Sequence, residues 1–96
     1  MSRAFVSEDS GGPGPEQRYR LPPRDDPAFP AAAARALIQG ANEGDSAGAE
    51  EATGLRFGEP ALVPYVMELL ETARRDKNDR VEQLAERYLR AAGTAI

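Results

Sequence analysis

Between residues 60 and 93 apolar side chains recur in steps of three and four, interrupted once by a polar stretch. Leu62, Val66, Leu69 and Ala73 follow at spacings of four, three and four, with Tyr65 and Leu70 at the flanks, which gives a helix with one apolar face. Val81, Leu84, Ala85, Tyr88 and Ala92 repeat the rhythm, with Leu89 at the margin. Pro60 and Pro64 fix the start, because proline is tolerated in a first turn but costs roughly 3 kcal/mol in a helix interior. A regular helix is therefore predicted from Leu62 or Pro64 to about Asp76, with a single turn begun at Pro60. The polar run Asp76-Lys77-Asn78-Asp79 is short enough to leave two helices antiparallel and adjacent. Asp79 followed by Glu82 reads as a capping box for the second helix, and Gly93 as its stop.

Upstream the pattern weakens. Pro30 opens an alanine-rich run in which Ala33, Leu37 and Ala41 share a face with Ala34 and Ile38 beside it, predicting a helix over about 30–43 that stops at Gly44. Alanines add little buried area, so this helix is expected to lean on the hairpin. Gly40 is either tolerated inside it or marks a close contact. Asp45 or Ser46 can cap a short helix through about Thr53, and Phe57 and Leu55 read as a lid and a second anchor over the helix junction. Residues 1–29 read as a flexible Pro/Gly-rich leader, in which Ser7 to Gln17 has no periodicity and carries Gly11, Gly12, Pro13, Gly14 and Pro15. Its stretch Tyr19-Arg20-Leu21-Pro22-Pro23-Arg24 is biased toward extended conformations and reads as a linker packed on its own domain ahead of a recognition peptide. The expected fold is all-α: a small three- to four-helix bundle over 30–96, with a C-terminal antiparallel helical hairpin at 60–93 and a flexible N-terminal leader.

Composition narrows the chemistry. The 96 residues contain no His and no Cys, which removes His-based triads, thiol nucleophiles, disulfides and the common zinc sites. The net charge of −4 disfavours sequence-independent nucleic-acid binding, which depends on neutralising phosphates. Its acidic excess is greatest over residues 31–59, with two Arg against five acidic groups. Glu43, Asp45, Glu50 and Glu51 lack the spacing of a calcium loop, and capping and solubility account for them. No metal or cofactor is expected, and no catalytic residue is assigned. No stretch has the length of a membrane span and no secretory signal is evident, so a cytoplasmic location is expected.

Two short stretches, Met1-Ser2-Arg3-Ala4-Phe5-Val6-Ser7-Glu8-Asp9 and Gly44-Asp45-Ser46-Ala47-Gly48-Ala49-Glu50, carry a resemblance. The first resembles the N-terminal leader of some bacterial proteins related to the GreA/GreB transcript-cleavage factors, and the second resembles the acidic segment of that family. In the family an acidic motif at the tip of a long coiled coil enters the secondary channel of RNA polymerase and helps hold a catalytic metal. The resemblance implies RNA polymerase as a partner and Asp45 as the nearest matching carboxylate. The family's next acidic position, its long heptad arms and its C-terminal docking domain have no counterpart here, so transcript cleavage is not carried over.

About sixty foldable residues make a marginal core, because ordering each residue costs roughly 1–2 kcal/mol of backbone entropy. The function expected first is a non-catalytic protein-interaction or assembly module, its small core completed by self-association into a homo-oligomer or by a protein partner. A small regulator of the bacterial transcription machinery and a stand-alone structural domain are the alternatives. The candidate interface residues are Tyr19 and Leu21 in the leader and Tyr65, Leu70 and Leu89 at the stripe margins.

Overall fold

The computed structural model describes residues 19–94 of the chain. The helices that lie wholly among these residues are α1 (Phe29–Glu43), α2 (Ser46–Thr53), α3 (Val63–Arg75) and α4 (Asp79–Ala91), with a 3-10 turn at Pro60–Leu62 leading into α3. No strand occurs among the described residues. The protein is an all-α bundle ending in an antiparallel hairpin. Most of the predicted leader, residues 1–18, lies outside the described residues.

Helix boundaries follow local chemistry. α1 begins with Pro30 in its first turn and ends at Gly44, whose φ of 74° is left-handed. That geometry lets the Asp45 N–H reach back to the Gly40 carbonyl at 2.7 Å. The 3-10 turn places Pro60 in its first turn, with Glu59 accepting from the Ala61 N–H. Pro64 then sits in the first turn of α3. The turn into α4 differs from the sequence reading: the N-cap is Asn78, whose side chain accepts from the Val81 N–H at 3.2 Å. A capping box centred on Asp79 is therefore absent. Glu82 is instead turned toward α3, where Arg74 bonds both Glu82 and Glu86 at 3.2 Å each. Lys77 occupies the left-handed region at φ 57°, and the following Asn78 N–H closes on the Ala73 carbonyl at 2.8 Å.

The core contains Leu37 and Ile38 from α1, Leu62 and Val66 ahead of and within α3, and Leu84, Tyr88 and Leu89 from α4. α1 holds the central position. It packs against α2, the 3-10 turn, α3 and α4, and buries Phe29, Ala33, Ala34, Ala36, Leu37, Ile38 and Gly40. Its small side chains let α2, the 3-10 turn and both hairpin helices approach it from different directions. Gly40 shows the tightness: a Cβ there would lie 2.5 Å from Ala49 Cβ and 2.9 Å from the Asp45 carbonyl.

Candidate interaction surface

The five candidate interface residues separate into interior and margin. Leu70 is 3 % exposed and Leu89 0 % exposed, so both are corrected from stripe margin to core. Both registers of α3 satisfy the three-and-four rhythm. Contact with α1 on one side and α4 on the other selects the ridge Val66-Leu70-Ala73 and rolls Leu69 outward. Leu89 lies three residues beyond Glu86 on the same line as Glu82, the line turned toward Arg74 of α3. Tyr19 is also corrected, being 7 % exposed with its hydroxyl donating to Asp45 Oδ2 at 2.7 Å. Leu21 and Tyr65 are half-buried and packed against the core.

Tyr19 to Ala28 crosses the corner between α1 and α2. Arg24 Nη1 donates to the Thr53 carbonyl at 2.8 Å while its guanidinium lies 5.7 Å from the Phe29 ring centre. Asp26 accepts from the Ala28 N–H at 2.8 Å, turning the chain into α1. A cavity of about 360 Å³ lies beneath this strap, lined by Leu21, Pro22, Pro23, Arg24, Phe29 and Ala52. The acidic residues of this region have structural partners. Asp45 accepts from Tyr19, Glu50 accepts the Phe57 N–H at 2.9 Å, and Glu43 accepts from Gln39 at 3.2 Å. Asp45 stands at the bend between two short helices.

At the far side of α4, Phe57 caps the junction as expected, its ring edge-on to Tyr88 with centres 4.9 Å apart. The Tyr88 hydroxyl donates to the Glu59 carbonyl at 2.9 Å. Burial, and next the charge of Glu59, push this phenol up to about 12, against two backbone hydrogen bonds that pull it down. Such a phenol stays neutral and acts as a structural donor. Arg74 is also held above its ordinary value, first by its hydrogen bond to Glu82 and then by that to Glu86. Neither group is poised for acid–base work near neutral pH. Among the described residues no group of three acidic, His or Cys side chains is placed to hold a metal ion, and no helix is long and apolar enough to cross a membrane.

One surface feature remains unspent by the fold. Where α1, the second half of α3 and the start of α4 meet, a crevice of about 280 Å³ opens, lined by Arg35, Ile38, Gln39, Asn42, Leu69 and Val81. Its floor is apolar. Its rim is polar and basic: Arg35 is exposed, and Arg80 reaches across from α4 to donate to Asn42 Oδ1 at 2.9 Å. Arg35 has no ion-pair or hydrogen-bond partner among the described residues. Sequence reasoning assigned Leu69 and Val81 to the core and gave Arg35, Gln39 and Asn42 no role. The spacing Arg35-Gln39-Asn42, four and then three, marks a polar stripe of α1, but nothing local shows that it borders an apolar floor. No protein-family model, no curated protein and no solved structure matches this chain.

Proposed function

We propose that this chain is a non-catalytic protein-interaction or assembly module, with the crevice between α1 and α3 as its contact surface. The observation that carries this reading is the crevice itself, an apolar floor of Ile38, Leu69 and Val81 edged by the guanidinium of Arg35, which has no partner among the described residues. Here apolar surface and an available charge stand together, the arrangement by which a small groove selects an apolar side chain flanked by an acidic one. The residue types support the same reading, since the chain offers no His or Cys. Its one strongly shifted phenol is used to hold a loop carbonyl.

Arg35→Glu tests it, because that side chain is exposed and its exchange leaves the core intact. Light scattering at several concentrations and affinity capture at moderate salt are run on both chains, with thermal unfolding as the folding control. Self-association or a recovered partner that is lost in the variant at unchanged melting temperature supports the module. A wild-type chain that stays monomeric and recovers nothing specific removes the reading.

A further inference from the structure

The cavity beneath the strap differs from the crevice in how its charged group is held. Among the described residues it is lined by Arg24 and by five apolar side chains, Leu21, Pro22, Pro23, Phe29 and Ala52. We infer that this cavity is a binding site for a small carboxylic acid, whose apolar body lies against Phe29 and Ala52 and whose carboxylate is taken by Arg24. The site is separate from the proposed contact surface and does not depend on it.

Three contacts hold the Arg24 guanidinium in place. Its Nη1 donates to the Thr53 carbonyl at 2.8 Å, at the C-terminal end of α2. Its central carbon stands 5.7 Å from the centre of the Phe29 ring, within the range of a cation–π contact. Its outer nitrogens lie against Gly54, where a Cβ would come within 2.5 Å of Nη1 and 2.8 Å of Nη2. Any side chain at position 54 would push the guanidinium away, so this glycine serves the position of Arg24 as well as the end of the helix. An arginine whose geometry is fixed in advance loses little freedom on taking a second acceptor, and its planar fork matches the two oxygens of a carboxylate.

The charge of Arg24 is not spent by these contacts. Among the described residues its one hydrogen-bond acceptor is a neutral carbonyl, and it makes no ion pair. The parallel N–H groups of Nε and Nη2 are left for a bidentate acceptor. The acidic groups of this corner are otherwise disposed: Asp26 accepts from the Ala28 N–H and Glu50 from the Phe57 N–H, and neither they nor Asp25 nor Glu51 line the cavity. The crevice between α1 and α3 offers less to an anion, because no hydrogen bond among the described residues fixes Arg35 and the Glu43 carboxylate is bonded to Gln39 on its rim. The volume under the strap, about 360 Å³, falls within the roughly 300–1,000 Å³ of small-molecule sites, which pair apolar walls with a few fixed polar groups. A single cationic group matches one carboxylate, and the apolar walls favour an aromatic or short aliphatic body over a hydroxylated one.

Benzoate and its neutral counterpart benzamide are the probes, titrated into the isotope-labelled full-length chain with the amide signals as readout. Saturable shifts of the Leu21, Arg24, Phe29, Ala52 and Gly54 signals with benzoate are the expected result, and benzamide should bind about tenfold or more weaker, as the loss of charge-assisted hydrogen bonds requires. Arg24→Gln should bring benzoate down to the level of benzamide; the side chain is exposed, and thermal unfolding of the variant checks its fold. The comparison of the two probes on the wild-type chain needs no variant and tests the inference by itself. Absence of saturable shifts overturns it, as does equal binding of both probes or benzoate binding that survives Arg24→Gln. Shifts centred on Arg35 and Asn42 that vanish in Arg35→Glu also overturn it, because the acid then occupies the crevice. None of these failures alters the light-scattering and capture comparison of Arg35→Glu, which tests the interaction reading separately.

Discussion

At the scale of single residues, Tyr88 and Gly40 carry the most definite consequences. The Tyr88 phenol ionises at about 12 in the folded chain against an ordinary 10.0. Below the ordinary value both states are protonated and the stabilisation is complete. Between the two values the unfolded chain gives up its proton first, so stability falls as pH rises through that window. Thermal unfolding measured across the same range should show this decline in the wild type and a shallower one in Tyr88→Phe. At neutral pH that variant should lose about 1–2 kcal/mol, because the part-buried Glu59 carbonyl loses its donor. Gly40→Ala should also destabilise, against helix propensity, since the new methyl meets Ala49 and the Asp45 carbonyl. Overpacking of this kind costs about 1–3 kcal/mol, which exceeds the roughly 0.5–1 kcal/mol that alanine gains over glycine in a helix. A melting temperature equal to or above wild type would contradict the tight α1–α2 approach.

At the scale of elements, legibility in the sequence tracked how local the determining physics was. Both helices of the hairpin, the turn at Pro60 and the stops at Gly44 and Gly93 are set by proline, glycine and apolar spacing within a few residues. The structure places them there. The cap of α4 lies one residue earlier than the sequence suggests because Asn78 and Asp79 offer equivalent acceptors, and it is Asn78 that accepts from the Val81 N–H. Leu70 and Leu89 were misread for a related reason: periodicity finds a stripe, and its centre depends on which neighbours dock. Lys77 shows where this turn can be improved. A non-glycine residue in the left-handed region carries strain of about 1–2 kcal/mol, so Lys77→Gly should raise stability by up to about 1 kcal/mol after its added unfolded-state entropy. Denaturant titration checks the sign. Leu84→Ala, at a fully buried position of α4, should cost about 2–5 kcal/mol in the same measurement.

At the scale of the whole molecule, the candidate surface was hidden from the sequence because it is assembled from three helices. Leu69 and Val81 looked like core and Arg35 like a solvated charge, and only the meeting of α1, α3 and α4 makes them neighbours. The ion pairs of Arg74 contribute little by comparison, since that side chain is 53 % exposed. Arg74→Ala should shift the denaturation midpoint far less than Leu84→Ala does, and added salt should reduce the difference further.

The central place of α1 also bears on the order in which the molecule assembles. Contacts within the hairpin join segments close in sequence, whereas those between α1 and α4 must first close a loop of several dozen residues. The hairpin is then the element formed at the folding transition state, and α1 docks afterwards. Stopped-flow measurements should find that Leu89→Ala, on the α3-facing side of α4, slows refolding, while Leu37→Ala chiefly accelerates unfolding. The opposite pattern would mean that α1 collects its three neighbours before the hairpin has closed.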